Sequence, residues 1–119
     1  MDDESFLDHY RCPYHRGHFP DATHSESIRN DSCGDEVTLQ IQLTDETVES
    51  AWFVAKGCIL CQAASSILCQ HMENQTLKSL SCFDAHKMLA LLGFHPTPRR
   101  QMCALLPFKA MKSLIYKMQ

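Results

Sequence analysis

The sequence predicts an α+β fold, in which a small antiparallel sheet of about three strands has helices packed on one face. Apolar and polar residues alternate without a break through residues 37–43, which is the period of a half-buried strand. After Gly57, apolar residues recur at three- and four-residue spacing up to about His71, which is the period of an amphipathic helix. With 119 residues, 45% of them hydrophobic, the chain predicts a single domain over residues 1–119.

The alternating segment predicts the first strand of a hairpin. One face of this strand carries Val37, Leu39, Ile41 and Leu43. Residues 44–47 are polar and predict a turn, and residues 48–55 predict a second, antiparallel strand. Because one face of the hairpin is apolar, helices are expected to cover it.

The N-terminal part is expected to contribute little regular structure. Leu7 and Tyr10 indicate a short helix, and residues 22–29 predict a weak third strand. Residues 1–30 are therefore expected to form an N-terminal helix followed by a flexible or edge segment.

Two further helices are predicted in the C-terminal half. Thr76 is a suitable N-cap for a helix that reaches Leu92 and ends at Gly93. Residues 106–117 predict the last helix, because Pro107 is compatible only with a first turn.

Charge is distributed unevenly along the chain. Residues 1–50 hold twelve Asp/Glu and three Lys/Arg, whereas the chain after Asp84 holds six Lys/Arg and no acid. The basic end suits either an acidic partner surface or the solvated faces of helices. The formal net charge of -3 disfavours nucleic acid as a partner.

The seven cysteines are expected to be reduced. The chain opens with Met-Asp-Asp-Glu-Ser, which is acidic and unlike the start of a secretory signal. It also lacks an apolar run near the length of a bilayer span. These observations predict a cytoplasmic protein without membrane association, in which thiols stay free to bind metal.

Three cysteines have unusual surroundings. Cys33 precedes Gly34 and Asp35, Cys58 follows Gly57, and Cys103 lies in Arg-Gln-Met-Cys-Ala-Leu-Leu. Thiolates select zinc, copper(I) and iron–sulfur clusters. With Asp35, the three thiols predict a soft metal site assembled from distant segments.

The predicted elements suggest how these thiols converge. Cys58 is expected at the N-terminus of the helix that follows Gly57, where backbone N–H groups favour the thiolate. Cys103 is expected just before the first turn of the last helix, and Cys33 on the approach to the first hairpin strand. All three are therefore expected at one end of the molecule.

Several of these motifs occur together in a known family. They are residues 33–35 before an alternating strand, residues 57–58 with the small residues 63–66, residues 100–105, and residues 9–13 (His-Tyr-Arg-Cys-Pro) followed by Arg-Gly at residues 16–17. In these motifs the chain resembles the U-type iron–sulfur cluster assembly scaffold family, which includes IscU, SufU and the N-terminal domain of NifU. The match covers nearly the whole chain in order. The resemblance implies a SufE/IscU-like fold.

The resemblance also implies a function and a site. Cys33, Asp35, Cys58 and Cys103 match residues that hold a nascent [2Fe–2S] cluster or iron, with zinc as the alternative occupant. The family accepts persulfide sulfur from a cysteine desulfurase of the IscS, SufS or NifS type and supplies apo iron–sulfur recipient proteins. Cys103 is the candidate persulfide acceptor, and Cys58 is the second candidate. Such a protein is not a stand-alone enzyme, although it can act as a sulfurtransferase-type acceptor.

The sequence departs from the family pattern near the last cysteine. Met102 stands where IscU-type members carry a histidine, so an Hsp70-type chaperone partner has weak support. His95 is expected to be a surface histidine, but His95 and Met102 are both candidates to replace the missing ligand. Arg100 lies three residues before Cys103, as in the SufU type. The alternative function is therefore a zinc-binding, SufU-like activator of a cysteine desulfurase. The 44 residues between Cys58 and Cys103 leave no room for that type's usual insertion.

The other cysteines of the helical half are expected to be structural. Cys61 is expected to be a small core residue, although Cys58-x-x-Cys61 also suits a thiol–disulfide or sulfurtransferase centre. Cys69 and Cys82 occupy apolar helical positions and are expected in the core. A structural zinc module is a third possibility, which the carboxylate of Asp35 argues against.

The N-terminal segment holds another possible metal clip. Cys12, His15 and His18 lie close together in sequence, but no fourth ligand is evident nearby. We therefore expect them to belong to an exposed, mobile N-terminal segment.

Overall fold

The computed structural model describes residues 3–32 and 34–118, with side chains from Phe6 onward. In chain order the elements are α1 (Asp3–Arg11), β1 (His24–Arg29), β2 (Glu36–Thr44), β3 (Thr47–Lys56), α2 (Ile59–Met72), α3 (Leu77–Ser81), α4 (Ala85–Leu92), α5 (Pro98–Ala104) and α6 (Leu106–Met118). The three-stranded sheet with packed helices confirms the predicted α+β class. No helix in the two described stretches is long and apolar enough to cross a bilayer.

The sheet is antiparallel in the order β1-β2-β3, so β2 is its central strand. Its buried inner face includes Val37, Leu39, Ile41, Val48, Ala51 and Phe53. The hairpin turn has positive φ at both Asp45 (51°) and Glu46 (64°), as a two-residue turn of type I′ requires. Both predicted hairpin strands are confirmed, and the weak third strand is β1.

The helix α2 is the centre of the molecule, since ten of its 14 residues are buried. It packs against β3, and α1, α4, α5 and α6 surround its other faces. The small residues 63–66 are all buried, which lets these neighbours approach the helix axis closely. The helix predicted after Gly57 is confirmed.

The helix predicted from Thr76 to Leu92 is wrong in one respect, because the structure divides it into α3 and α4. The carboxylate of Asp84 accepts a hydrogen bond from the Lys87 N–H at 2.8 Å and begins α4 as a new helix. Cys82 lies at the break and is exposed, so the prediction that it belongs to the core is also wrong.

The segment that follows α1 is attached to β3. The Gly17 N–H donates to the Phe53 carbonyl at 2.7 Å, and the Phe53 N–H donates to the His15 carbonyl at 3.1 Å. His15 is half-buried, so its predicted place in an exposed segment is wrong. Cys12 and His18 are exposed as expected.

Candidate metal centre

Three potential ligands meet at one end of the sheet. Asp35 immediately precedes β2, Cys58 joins β3 to α2, and Cys103 belongs to α5. Because Glu36 and Lys56 are paired in the β2–β3 ladder, the residues just outside that pair are held side by side. One ligand atom from each of the three residues lies within 4.8 Å of the other two.

Asp35 is buried at the base of this cluster, with only 3% of the residue exposed. One carboxylate oxygen accepts the Cys58 backbone N–H at 3.2 Å, and the other lies 3.4 Å from the Cys58 Sγ. The carboxylate therefore fixes the start of α2 and also faces the neighbouring sulfur.

Gly57 makes this approach possible. Its φ is +138°, in the region that favours glycine, and a Cβ at this position would overlap the Asp35 carboxylate. The side-chain amide of Gln62 donates to the Gly57 carbonyl at 3.0 Å and holds the junction. The sequence marked Gly57 as the residue between strand and helix, but the role of Gln62 was missed because it carries no distinctive sequence signal.

Cys58 is the N-cap of α2, as its predicted position at the helix start requires. Its backbone is extended, and its Sγ accepts the Cys61 N–H at 3.4 Å. Cys58 is exposed, whereas Cys61 is completely buried in the first turn. The expectation that Cys61 is a small core residue is confirmed.

Cys103 lies three residues before α6 begins, as expected, but the segment that carries it is itself helical and forms α5. Pro98 begins α5, and the Thr97 carbonyl accepts the N–H groups of Arg100 and Gln101, both at 2.9 Å. Cys103 thus has a fixed helical position.

The environment of Cys103 disfavours its thiolate in the absence of metal. Burial is the main cause that raises the pKa of the Cys103 thiol to about 12, and the neighbouring Asp35 and Cys58 contribute to the same shift. A metal ion in the cluster would have to displace this proton.

An open groove of about 420 Å³ adjoins Cys103. Its lining includes the basic side chains of Arg99 and Arg100, the exposed Met102, and the polar residues Asn30 and Ser32. The cluster is therefore reached from solvent through a groove whose charged lining residues are basic.

The remaining predicted ligands are either outside the described residues or away from the three-residue cluster. Cys33 lies outside the described residues, although Ser32 before it lines the groove. His95 is exposed. Among the described side chains, it does not lie close enough to two other potential ligands to share a metal ion with them. The same search of described side chains finds no clip formed by Cys12, His15 and His18.

The donor set fits a soft metal. Ligands of zinc lie about 2.0–2.3 Å from the ion, so any two of them are at most about 4.6 Å apart. The ligand atoms of Asp35, Cys58 and Cys103 already lie within 4.8 Å of one another, so small side-chain adjustments suffice. Two sulfurs and one carboxylate oxygen leave a position for another ligand.

Sequence relatives carry scaffold and sulfur-transfer names. The chain is 29% identical over 98% of its length to the Thermotoga maritima iron–sulfur cluster assembly scaffold protein IscU, of which the match covers 94%. It is 28% identical over 93% of its length to the Bacillus subtilis zinc-dependent sulfurtransferase SufU, of which the match covers 86%.

The fold is also found in solved structures. The crystal structure of the N-terminal part of a nitrogen-fixing NifU-like protein from Brucella abortus has a TM-score of 0.78, with 21% identity. The similarity covers 98% of this chain and 92% of that one. The family model described as the NifU-like N-terminal domain matches residues 1–119. The chain therefore belongs to the NifU-like N-terminal domain family.

Proposed function

We propose that this chain is an iron–sulfur cluster assembly scaffold, acting as one domain over residues 1–119. Its cargo is a nascent [2Fe–2S] cluster or iron, held by Cys33, Asp35, Cys58 and Cys103. The observation that carries the proposal is the convergence of Asp35, Cys58 and Cys103 from three separate segments within 4.8 Å. The names of its relatives support the same function.

The set of ligand residues suits a cargo that must be released again. A carboxylate is a harder ligand than a thiolate for a soft metal, so the bond to Asp35 is the weakest of the set. Cys58 is exposed and Cys103 borders an open groove, so a recipient can reach the cargo. The site is thus suited to transfer and not to permanent storage.

The proposed sulfur source is a cysteine desulfurase, with Cys103 as the first persulfide acceptor. This assignment is supported by the groove beside Cys103, where Arg99 and Arg100 offer positive charge to a donor segment. Apo iron–sulfur proteins are the proposed recipients. A cytoplasmic location belongs to the same proposal, because the ligand thiols must stay reduced.

Anaerobic reconstitution tests the scaffold function. The protein is supplied with ferrous iron, cysteine and a cysteine desulfurase, and charge-transfer absorption of the cluster is followed. We expect absorption with the wild type and its loss in Cys33→Ser, Cys58→Ser and Cys103→Ser, because each variant removes a thiolate ligand.

Two cysteines outside the cluster provide matched controls. Cys69→Ser changes a buried thiol of α2, and Cys82→Ser changes an exposed one. Both variants should assemble the cluster as the wild type does. Equal loss of absorption in the controls, or full assembly in Cys58→Ser and Cys103→Ser, would contradict the proposed site.

Asp35→Ala tests the role of the weakest ligand. We expect a preformed cluster to persist longer in this variant, because the ligand that leaves first has been removed. The decay of absorption after addition of an apo recipient measures this lifetime. Faster decay than in the wild type would contradict the role of Asp35 in release.

The second candidate function is a zinc-dependent sulfur carrier that activates a desulfurase. It is favoured by Arg100, which lies three residues before Cys103, and by similarity to a protein named SufU. Purified protein that holds one zinc ion, increases desulfurase turnover and never forms a cluster would favour this function over the scaffold.

A further inference from the structure

The first turn of α2 brings a second thiol next to Cys58. Cys61 donates its backbone N–H to the Cys58 Sγ at 3.4 Å, and its side chain is completely buried. Because the Cys58 Sγ already lies 3.4 Å from the Cys61 backbone nitrogen, a modest rearrangement of the two side chains can bring their sulfurs within disulfide range. The pair thus combines an exposed thiol with a buried one at the start of the same helix.

We propose that Cys61 is a resolving thiol that converts persulfide sulfur on Cys58 into free sulfide. This inference rests on the proposed scaffold function and adds a reductive step to it. A [2Fe–2S] cluster contains sulfide, whereas a persulfide delivers sulfur that is more oxidised by two electrons. The scaffold therefore needs a source of two electrons, and the Cys58/Cys61 pair is one.

Sulfur first passes from Cys103 to Cys58. The Sγ atoms of these two cysteines lie within 4.8 Å of each other. The Cys58 thiolate attacks the outer sulfur of the Cys103 persulfide. The sulfur–sulfur bond on Cys103 breaks, Cys103 leaves as a thiolate, and Cys58 now carries the persulfide. No electrons are gained or lost overall in this exchange.

Reduction follows on α2. The Cys61 sulfur attacks the Sγ of Cys58, and its proton passes to the anionic outer sulfur of the persulfide. The bond from that Sγ to the outer sulfur breaks, and hydrosulfide leaves with the bonding electron pair. The two cysteines are oxidised to a disulfide as the transferred sulfur is reduced to sulfide. A low-molecular-weight thiol then reduces the Cys58–Cys61 disulfide through two exchange steps.

The different exposures of the two thiols suit these roles. Cys58 is exposed, so its outer sulfur can leave as sulfide next to iron in the cluster. Cys61 is shielded from external sulfur donors by its burial, so it reacts with the persulfide of its neighbour. Cys69 is also buried but lies more than two turns further along α2, beyond reach of Cys58.

Sulfide release from metal-free protein tests the inference. Protein is loaded anaerobically with inorganic polysulfide, separated from excess reagent, and incubated without any small thiol. We expect the wild type to release sulfide and to form a disulfide-linked Cys58–Cys61 peptide, detected by mass spectrometry. Cys61→Ala should retain its persulfide and release sulfide at least tenfold more slowly. The matched control Cys69→Ala should behave as the wild type does.

A second variant, Cys61→Ser, and a zinc-binding measurement show whether a folding defect explains the loss of sulfide release. Both Cys61 variants should bind zinc as the wild type does, which shows an intact cluster of ligands. Wild-type release from Cys61→Ala, a disulfide between other cysteines, or failure of Cys58 and Cys103 to take up polysulfide sulfur would overturn the inference.

A separate reconstitution distinguishes this failure from failure of the scaffold function. Iron and inorganic sulfide are supplied directly, so the reductive step is bypassed. If the wild type forms a cluster from iron and sulfide but Cys61→Ala releases sulfide at the wild-type rate, the role of Cys61 is overturned and the scaffold function stands. If the wild type forms no cluster from iron and sulfide, the scaffold function fails even where Cys61 resolves the persulfide.

Discussion

The two ends of α2 differ in whether their polar groups are bonded within the protein or open to solvent. At the C-terminal end, the Glu73 carboxylate accepts the Ala51 N–H at 2.9 Å, contacts the His15 Nδ1 at 2.8 Å, and accepts the Tyr14 hydroxyl. The hydrogen bond to Glu73 is the main cause that raises the pKa of Tyr14 to about 12. At the N-terminal end, Cys58 is exposed, and the neighbouring Cys103 lines an open groove.

The polar groups around Glu73 stabilise the fold, whereas those at the N-terminal end of α2 remain available to bind a metal ion. Glu73 is 13% exposed and joins the N-terminal segment, β3 and α2, so its hydrogen bonds are satisfied within the protein. Asp35, Cys58 and Cys103 keep sulfur and oxygen lone pairs for a metal. Changes at the two ends should therefore have separable effects on stability and on metal binding.

Gly57→Ala should have the largest effect, because it changes the ligand cluster directly. The added Cβ meets the Asp35 carboxylate, and a φ of +138° is strained for alanine by about 1–3 kcal/mol. We expect zinc affinity to fall at least tenfold, measured by competition with a chelator, together with a loss of unfolding free energy.

Gly17→Ala is the matched control for this variant. Gly17 has nearly the same φ, +139°, but a Cβ there meets no atom within 4 Å. It should share the strain and keep its zinc affinity. Equal zinc affinities in the two variants would show that the contact between Gly57 and Asp35 does not shape the centre.

Glu73→Ala should have the second largest effect and should act on stability alone. Its loss leaves the Ala51 N–H and the Tyr14 hydroxyl without their acceptor, which costs about 1–3 kcal/mol of unfolding free energy. Urea denaturation measures the loss. Glu49→Ala, an exposed residue that accepts from Thr44, should change little. A fall in zinc affinity with unchanged stability would reverse the comparison.

The sequence predicted the end of α2 that carries the candidate metal centre better than the other end. Alternation in residues 37–43 and Gly57 before a helical period locate the strand and helix ends that carry Asp35 and Cys58. The attachment of residues 15–17 to β3 was missed, because its backbone hydrogen bonds to Phe53 and the contact of His15 with Glu73 leave no local sequence pattern.

The helical half was predicted less accurately, for local reasons. The Asp84 cap was visible in the sequence, but the apolar period continues through it and conceals the break before α4. The helix α5 has weak apolar periodicity, so only Pro98 at its start could have indicated that Cys103 is helical.

The affinity of the centre for zinc is also expected to depend on pH. The pKa of the Cys103 thiol is raised to about 12, so Cys103 is protonated at neutral pH and must lose its proton when zinc binds. Affinity should therefore rise with pH, and Cys103 should contribute about tenfold per pH unit to that slope. Chelator competition between about pH 6 and about pH 8 measures it. An equal slope in Cys103→Ser would contradict this contribution.

Glu26→Gln should have the smallest effect, because it changes a partly exposed contact between β1 and α6. The Glu26 carboxylate lies 2.7 Å from the Lys117 Nζ and accepts the Ser113 hydroxyl at 2.7 Å. We expect a loss of about 0.5 kcal/mol in unfolding free energy near neutral pH, with zinc affinity unchanged.

The effect should depend on pH with a defined sign. The hydrogen bond from Lys117, followed by that from Ser113, lowers the pKa of Glu26 below its ordinary value of 4.5. The stabilisation is complete above that value and is lost as the pH falls through the lower folded-state pKa. Urea denaturation of wild type and Glu26→Gln should therefore converge in acid. A difference that grows as the pH falls would contradict this sign.

X-ray absorption spectroscopy of the zinc-loaded protein tests most directly whether Asp35, Cys58 and Cys103 bind one metal ion. We expect a sulfur-containing shell that loses one sulfur in Cys58→Ser and one in Cys103→Ser, loses an oxygen in Asp35→Ala, and is unchanged in Cys82→Ser. A shell that keeps its full sulfur count in both ligand variants, or that consists of nitrogen and oxygen, would contradict a shared metal site.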